Sequence, residues 1–230
     1  MTDEAIELLI HRLNRGNTKD IIIAPIAESV FWGFVYNAIP DVGLPPERIE
    51  EKGHEFFFVK AGDGQFAGAV HRFGPDEIHW LVAEAYRCRS LLVEPLKTTI
   101  LPFIFARHRQ FETQRGSLEL RRSCAKQSAS LAVRVGFQRV ESSEDKEVYE
   151  IHRDLVPPYV STRRPGPDHS HIEQLEREVR LGIRALHIAL DTFEVNYSSH
   201  LNHNLAEEAR TNLLCAQISL EDTMRYSLSL

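Results

Sequence analysis

The stretch "VAEAYRCRSLLVEP", residues 82–95, has the layout of an anion-binding turn whose glycines have been replaced. An apolar strand-like run leads through Tyr86-Arg87 into an apolar helix-like run. Backbone N–H groups at the start of such a helix have no partner within it, so they can point at an anion with the helix dipole behind them. Glycine is the residue that lets backbone approach a phosphate, and here Cys88, Ser90 and Leu92 stand at the close-approach positions. The Ser90 hydroxyl can itself donate. Leu92 is expected to fill space near the phosphates, and Arg87 and Arg89 to offset part of the loss through charge.

The elements that must hold this turn can be read along the chain. Residues 2–14 form an amphipathic helix capped by Thr2, with Ile6, Leu9, Ile10 and Leu13 on one face and Arg15-Gly16-Asn17 as its stop. "DIIIAPI" (20–26) is a strand and "AESVFWGFVYNAI" (27–39) reads as a helix stopped by Pro40. Runs 55–61, 65–72 and 77–86 read as three antiparallel strands joined by Gly62-Asp63-Gly64 and Gly74-Pro75-Asp76. A helix follows over 91–109, with Pro95 in its first turn and Pro102 expected to kink or split it. Residues 117–125 alternate as a strand, 126–137 form a helix ending at Gly136, and 138–154 close with two strands.

This order over residues 20–152 resembles the GNAT superfamily of N-acetyltransferases, which implies an α/β (α+β) fold: a mixed, mostly antiparallel sheet flanked by helices. Two segments carry the likeness. In the turn, Val82, Tyr86, Arg87, Arg89 and Leu91 fit the family's V-x-P-x-Y-R-G-K-G-I-G pattern. In "SASLAVRVGF" (128–137), Ser128, Leu131, Ala132, Arg134, Gly136 and Phe137 are similar to the N-x-x-S-x-R-V-A-x-K-x-G-F helix of the branch that includes ribosomal-protein acetyltransferases. Ala125 replaces that motif's Asn, and Ala132 stands where many members carry a Tyr beside the leaving thiolate.

The resemblance implies acetyl-CoA as the cofactor, with Val82, Arg87, Cys88, Arg89, Ser90, Leu91 and Leu92 as the coenzyme-binding set. It also implies that strands 77–86 and 117–125 run parallel and splay apart at their C-terminal ends. Acyl transfer to an amine needs a proton acceptor. His79 and Glu84 are the catalytic candidates, on opposite faces of the fourth strand by alternation, with Tyr86 as the acid. A strand histidine satisfied by a hydrogen bond is the structural alternative for His79, and a solvated carboxylate for Glu84. The turn also resembles GNAT-like proteins of tailed phages. That implies a second function: a catalytically decayed, structural protein of the virion or of its assembly.

Composition sets the outer bounds. Hydrophobic residues make up 43% and charged residues 26%, ordinary for a soluble globular chain. The net charge of −6 gives no basic field for nucleic acid. Cys88, Cys124 and Cys215 suit neither a disulfide framework nor a zinc site, so each reads as a small buried hydrophobe in a cytoplasmic protein. No membrane partner is expected, since no apolar run is long enough to span one.

The domain reading is an acyltransferase-like domain over 1–154, a Pro-rich linker over 155–168 and a helical hairpin over 169–230. The hairpin rests on Ile172, Leu175, Val179, Ile183, Leu186, Leu190 and Phe193, then Leu205, Ala209, Leu213, Ala216, Leu220 and Met224, all at helical spacing. A zinc site from His169, His171, His200 and His203 is set aside, because a helix over 171–197 would hold the two pairs about 40 Å apart. Such broad apolar faces seek cover, so residues 170–226 are expected to form an interface, either a homo-oligomer or a contact with a larger protein assembly.

Overall fold

The computed structural model describes residues 2–18, 20–36, 53–119, 125–160, 169–197 and 208–219. The chain divides into two compact units, Met1–Thr162 and Arg163–Leu230.

The first unit is an eight-stranded sheet with spatial order β1-β2-β3-β4-β5-β6-β8-β7. Its strands are β1 (Ile21–Pro25), β2 (Val30–Val35), β3 (His54–Lys60), β4 (Phe66–Phe73), β5 (Glu77–Val82), β6 (Thr113–Glu119), β7 (Gln138–Ser142) and β8 (Lys146–His152). Every neighbouring pair is antiparallel except β5–β6. That pair is parallel, with the single register match Glu77↔Arg115. Beyond it the strands part. A Cβ on Gly116 would stand 2.7 Å from Trp80 Cη2, so the indole lies against the bare backbone of β6. The wedge and the splay are the arrangement that the resemblance implied, and they open the sheet next to the 82–95 turn.

The helix α1 (Asp3–Asn14) covers one face of the sheet. The Ala5 N–H donates to Thr2 Oγ1 at 3.3 Å, and Ile6, Leu9, Ile10 and Leu13 pack with Phe56, Phe58 and Leu81. Asn14 pins the far end of α1: its Nδ2 donates to Phe66 O and its Oδ1 accepts from Phe66 N, each at 2.8 Å. On the opposite face lie α2 (Val93–Pro95), a π-helical turn (Leu96–Ile100), α3 (Leu101–Arg107) and α4 (Ala125–Val135). They cover Phe57, Val70, Ile78 and Trp80.

Several local readings change. Residues 27–39 do not form a helix: Val30–Val35 is β2, and 37–39 lie outside the described residues. The β-branched and aromatic side chains of VFWGFV suit a pleated sheet. Gly33 is obligatory there, because a Cβ would fall 1.8 Å from Ile22 O on β1. The fourth strand ends at Val82 rather than at 86, since Glu84–Tyr86 is a 3-10 turn. The fifth strand is Thr113–Glu119, and 120–124 fall outside the described residues. Pro102 does not split its helix. It enters the first turn of α3 directly behind the π-turn, where a missing N–H costs little.

Cys88 and Cys215 are exposed rather than buried, and Cys124 lies outside the described residues. The linker reading also shifts. Tyr159 still packs on the first unit: its ring meets Phe103 at 5.3 Å between centroids and its hydroxyl donates to Ile26 O at 3.5 Å.

In the second unit, α5 (His169–Tyr197) is followed by a helical run at 208–219. Arg210 Nη2 lies 2.7 Å from Asp191 Oδ1, which brings the run alongside α5. No helix among the described residues is long and apolar enough to cross a membrane.

Candidate functional site

A cavity of about 490 Å³ opens where β5 leaves β6, walled by Trp80, Leu81 and Val82, by the turn from Tyr86 to Leu91, and by α4. Four cationic side chains line it: Arg87, Arg89, Lys126 and Arg134. Asp3, at the start of α1, is the one carboxylate among its described lining residues. In a chain of net charge −6 this is a local reversal of sign, the kind that attracts anions.

The turn keeps a glycine-like backbone without glycine. Cys88 has φ +64 and Ser90 φ +55, the only described non-glycine residues with positive φ. An L-residue pays about 1–2 kcal/mol to sit there, and such strain persists only where the surroundings impose it. Arg134 Nη1, from α4, donates to Ser90 Oγ at 2.6 Å, and Arg87 Nε donates to Val82 O at 3.2 Å. These two bonds tie the turn to α4 and to β5. Among the described residues, nothing accepts from the backbone N–H groups of Cys88, Arg89, Ser90, Leu91 or Leu92. Consecutive N–H groups without an acceptor, ahead of the helical segment Val93–Arg107, are groups that can donate to an anion.

Leu92 does not obstruct this seat, contrary to the expectation from its position. Its side chain is fully buried in the core on the face of the sheet opposite α1, and its Cδ2 would meet a Cβ on Gly68 at 2.8 Å. Replacing Cys88 by Gly relieves one strained φ but adds freedom to the unfolded chain. The expected net gain is about 0.5–1 kcal/mol, a rise in melting temperature of about 1–4 °C, which differential scanning calorimetry will measure.

The catalytic candidates scatter. Tyr86 lines the cavity, but its hydroxyl donates to Asp63 Oδ2 at 2.7 Å. That bond raises the tyrosine pKa and lowers that of Asp63, which makes Tyr86 a poor acid. Arg89 lies over the Tyr86 ring, 5.4 Å from its centroid, so the contact holds this guanidinium at the cavity. Glu84 is exposed, belongs to the 3-10 turn rather than to β5, and does not line the cavity; its N–H donates to Glu7 Oε1 at 3.3 Å. His79 is on β5 beside the cavity, and its Nε2 lies 2.8 Å from Asp3 Oδ1.

Among charged residues the structure thus adds three that motif reading had not assigned to the site: Asp3, Lys126 and Arg134. Arg134 carried a sequence signal, since it belongs to the 128–137 pattern. Asp3 carried none, because only the docking of α1 brings it to a strand 76 residues away.

No family model matches the chain, and no curated protein matches it. Among solved structures it is similar to a point mutant of the spermidine N-acetyltransferase SpeG from Vibrio cholerae, at 14% identity and a TM-score of 0.40, over 66% of this chain and 92% of that one. It is similar to a GNAT-family acetyltransferase from Bacillus anthracis, at 14% identity and 0.39, over 58% and 99%. It is also similar to the N-acetyltransferase PseH from Campylobacter jejuni, solved with acetyl coenzyme A, at 12% identity and 0.34, over 44% and 68%.

Proposed function

We propose that this protein is a GNAT-fold N-acetyltransferase that takes its acetyl group from acetyl-CoA and passes it to an amine. The observation that carries the reading is the cationic cavity over an anion seat of free backbone N–H groups, at the gap between parallel strands β5 and β6. The residues present fit a pyrophosphate-bearing coenzyme. The N–H groups of residues 88–92, with Arg87, Arg89, Lys126 and Arg134, would hold its phosphates, and Trp80, Val82 and Leu131 offer apolar wall to its arm. Bound acetyl-CoA supplies a thioester carbonyl open to attack by nitrogen.

The acceptor amine must lose a proton. Asp3 is the carboxylate that lines the cavity, and it accepts that proton. His79, whose Nε2 lies 2.8 Å from Asp3 Oδ1, takes that proton from the carboxyl group and gives one up from Nδ1 to solvent at its half-exposed ring, which restores the carboxylate. In this reading His79 acts behind Asp3 rather than on the substrate.

Thermal unfolding with and without acetyl-CoA tests the coenzyme claim, because a ligand that binds only the native state raises its stability. A shift of several degrees at millimolar acetyl-CoA is expected. Thiol release with a panel of amines then tests the chemistry, and Asp3→Asn and His79→Ala should each lower turnover by about 10²–10⁴-fold while leaving the coenzyme-induced shift intact. No shift at millimolar acetyl-CoA would instead favour the structural role that the likeness to phage proteins suggests.

A further inference from the structure

The helix α5 is apolar on two opposite sides. Val179, Ile183 and Leu190 are half-buried on one. On the other, Leu181, Ala185, Ile188, Thr192 and Val195 recur at alternating intervals of four and three, the spacing of a coiled-coil seam. Leu181 is 57% exposed, Ile188 54% and Val195 80%. The Thr192 hydroxyl donates to Ile188 O at 2.7 Å, so this seam position can be covered without stranding a polar group. Three large apolar side chains in one line on the helix surface make a patch that favours being covered.

We propose that this seam pairs with the same seam of a second copy of the chain, antiparallel, about a two-fold axis at Ile188. The sequence is self-complementary about that point. Ile188 meets Ile188, and Leu181 meets Val195, which lies as far beyond Ile188 as Leu181 lies before it. One flank of the seam carries Arg184 and Asp191, and in antiparallel pairing this flank faces its own copy. Arg184 then lies opposite Asp191 twice over, by symmetry, and would share a carboxylate whose Oδ1 already accepts from Arg210 of its own chain at 2.7 Å. Parallel pairing would place Arg184 beside Ala189 and Asp191 beside Asn196, with no charge met. The other flank carries Gly182 and Ala189. A Cβ at Gly182 would meet nothing within 4 Å, so the helices can approach closely there. This pairing is independent of the acetyltransferase reading.

Light scattering on the full chain will measure its mass, and cysteine crosslinking in a Cys88→Ser/Cys124→Ser/Cys215→Ser background will measure orientation. The full chain should run at twice its chain mass. Ile188→Glu should run at the chain mass with unchanged helical circular dichroism, and if its helicity falls, Leu181→Arg at the end of the seam reads the same loss. Ile188→Cys should crosslink to itself. Leu181→Cys should not, yet should crosslink when mixed with Val195→Cys. A parent that stays monomeric at about 100 µM (a weaker pairing than any stable dimer) overturns the proposal. So does an Ile188→Glu protein that keeps the parent's mass, or a Leu181→Cys protein that crosslinks to itself.

Discussion

Replacing Arg87 and Arg134 together by Gln should weaken acetyl-CoA binding by at least a hundredfold, read by isothermal titration. Each guanidinium lines the cavity, and a hydrogen bond to a charged partner contributes about 1.5–3 kcal/mol. Two such bonds lost together amount to about 3–6 kcal/mol, and every 1.4 kcal/mol is tenfold. Arg134 has a second task, since its bond to Ser90 Oγ helps hold the strained turn. Arg134→Gln alone should therefore lower both affinity and stability, and so should Arg87→Gln, which removes the bond from Nε to Val82 O that ties the turn to β5. Binding should also weaken with added salt, and less steeply in the double variant, because fewer cations face the phosphates. Undiminished affinity in the double variant would mean that the coenzyme, if bound, lies elsewhere.

Acid should destabilise the first unit well above the pH at which carboxylates titrate. His71 is 2% exposed and stacks on Phe56 with ring centroids 4.6 Å apart. Burial, and then the charge of neighbouring His54, push its pKa down from 6.5 to about 3. His54 Nδ1 lies 3.3 Å from His71 Nε2. The native state therefore holds fewer protons than the unfolded state wherever the pH lies between those two values. As pH falls through 6.5 the unfolded chain takes up a proton that the folded chain refuses, and stability drops by about 1.4 kcal/mol per unit. Between pH 7 and pH 5 the loss from His71 is about 2 kcal/mol. Burial also lowers the pKa of His108, which acts in the same direction. Urea unfolding at pH 7, 6 and 5 will read the slope. His71→Phe keeps the ring stack without the titrating group, so its midpoint should vary less with pH. An equal slope in that variant would assign the acid sensitivity to other groups.

Much of the frame was legible because its causes are local. The stripe of α1 lies four residues or fewer apart, and its Thr2 cap and Gly16 stop act within one turn of the chain. The hairpin β3–β4 follows from Gly64 at φ +82, and β4–β5 from Gly74 at φ +75, conformations that glycine takes without strain. Alternation along β5 set His79 and Glu77 on one face and Ile78 and Trp80 on the other.

The proposed anion seat was half legible. Its position, Arg87 and Arg89 could be read, but the left-handed backbone at Cys88 and Ser90 could not. Propensity argues against it, and the bonds that tie the turn in place come from α4 and β5. The direction of Leu92 likewise depended on the core having room beside Gly68. β2 was read as a helix because apolar residues spaced irregularly over residues 27–39 fit either period; β1 and β3 on its two sides decide the matter.

Residue types and short spacings thus determined the order of elements, the turn and its charge. Tertiary packing alone decided which carboxylate faces the cavity. The Asp3–His79 pair forms because α1 is pinned at its far end by Asn14 and covered along its length by Phe56 and Phe58, contacts between segments that no local pattern in the chain connects.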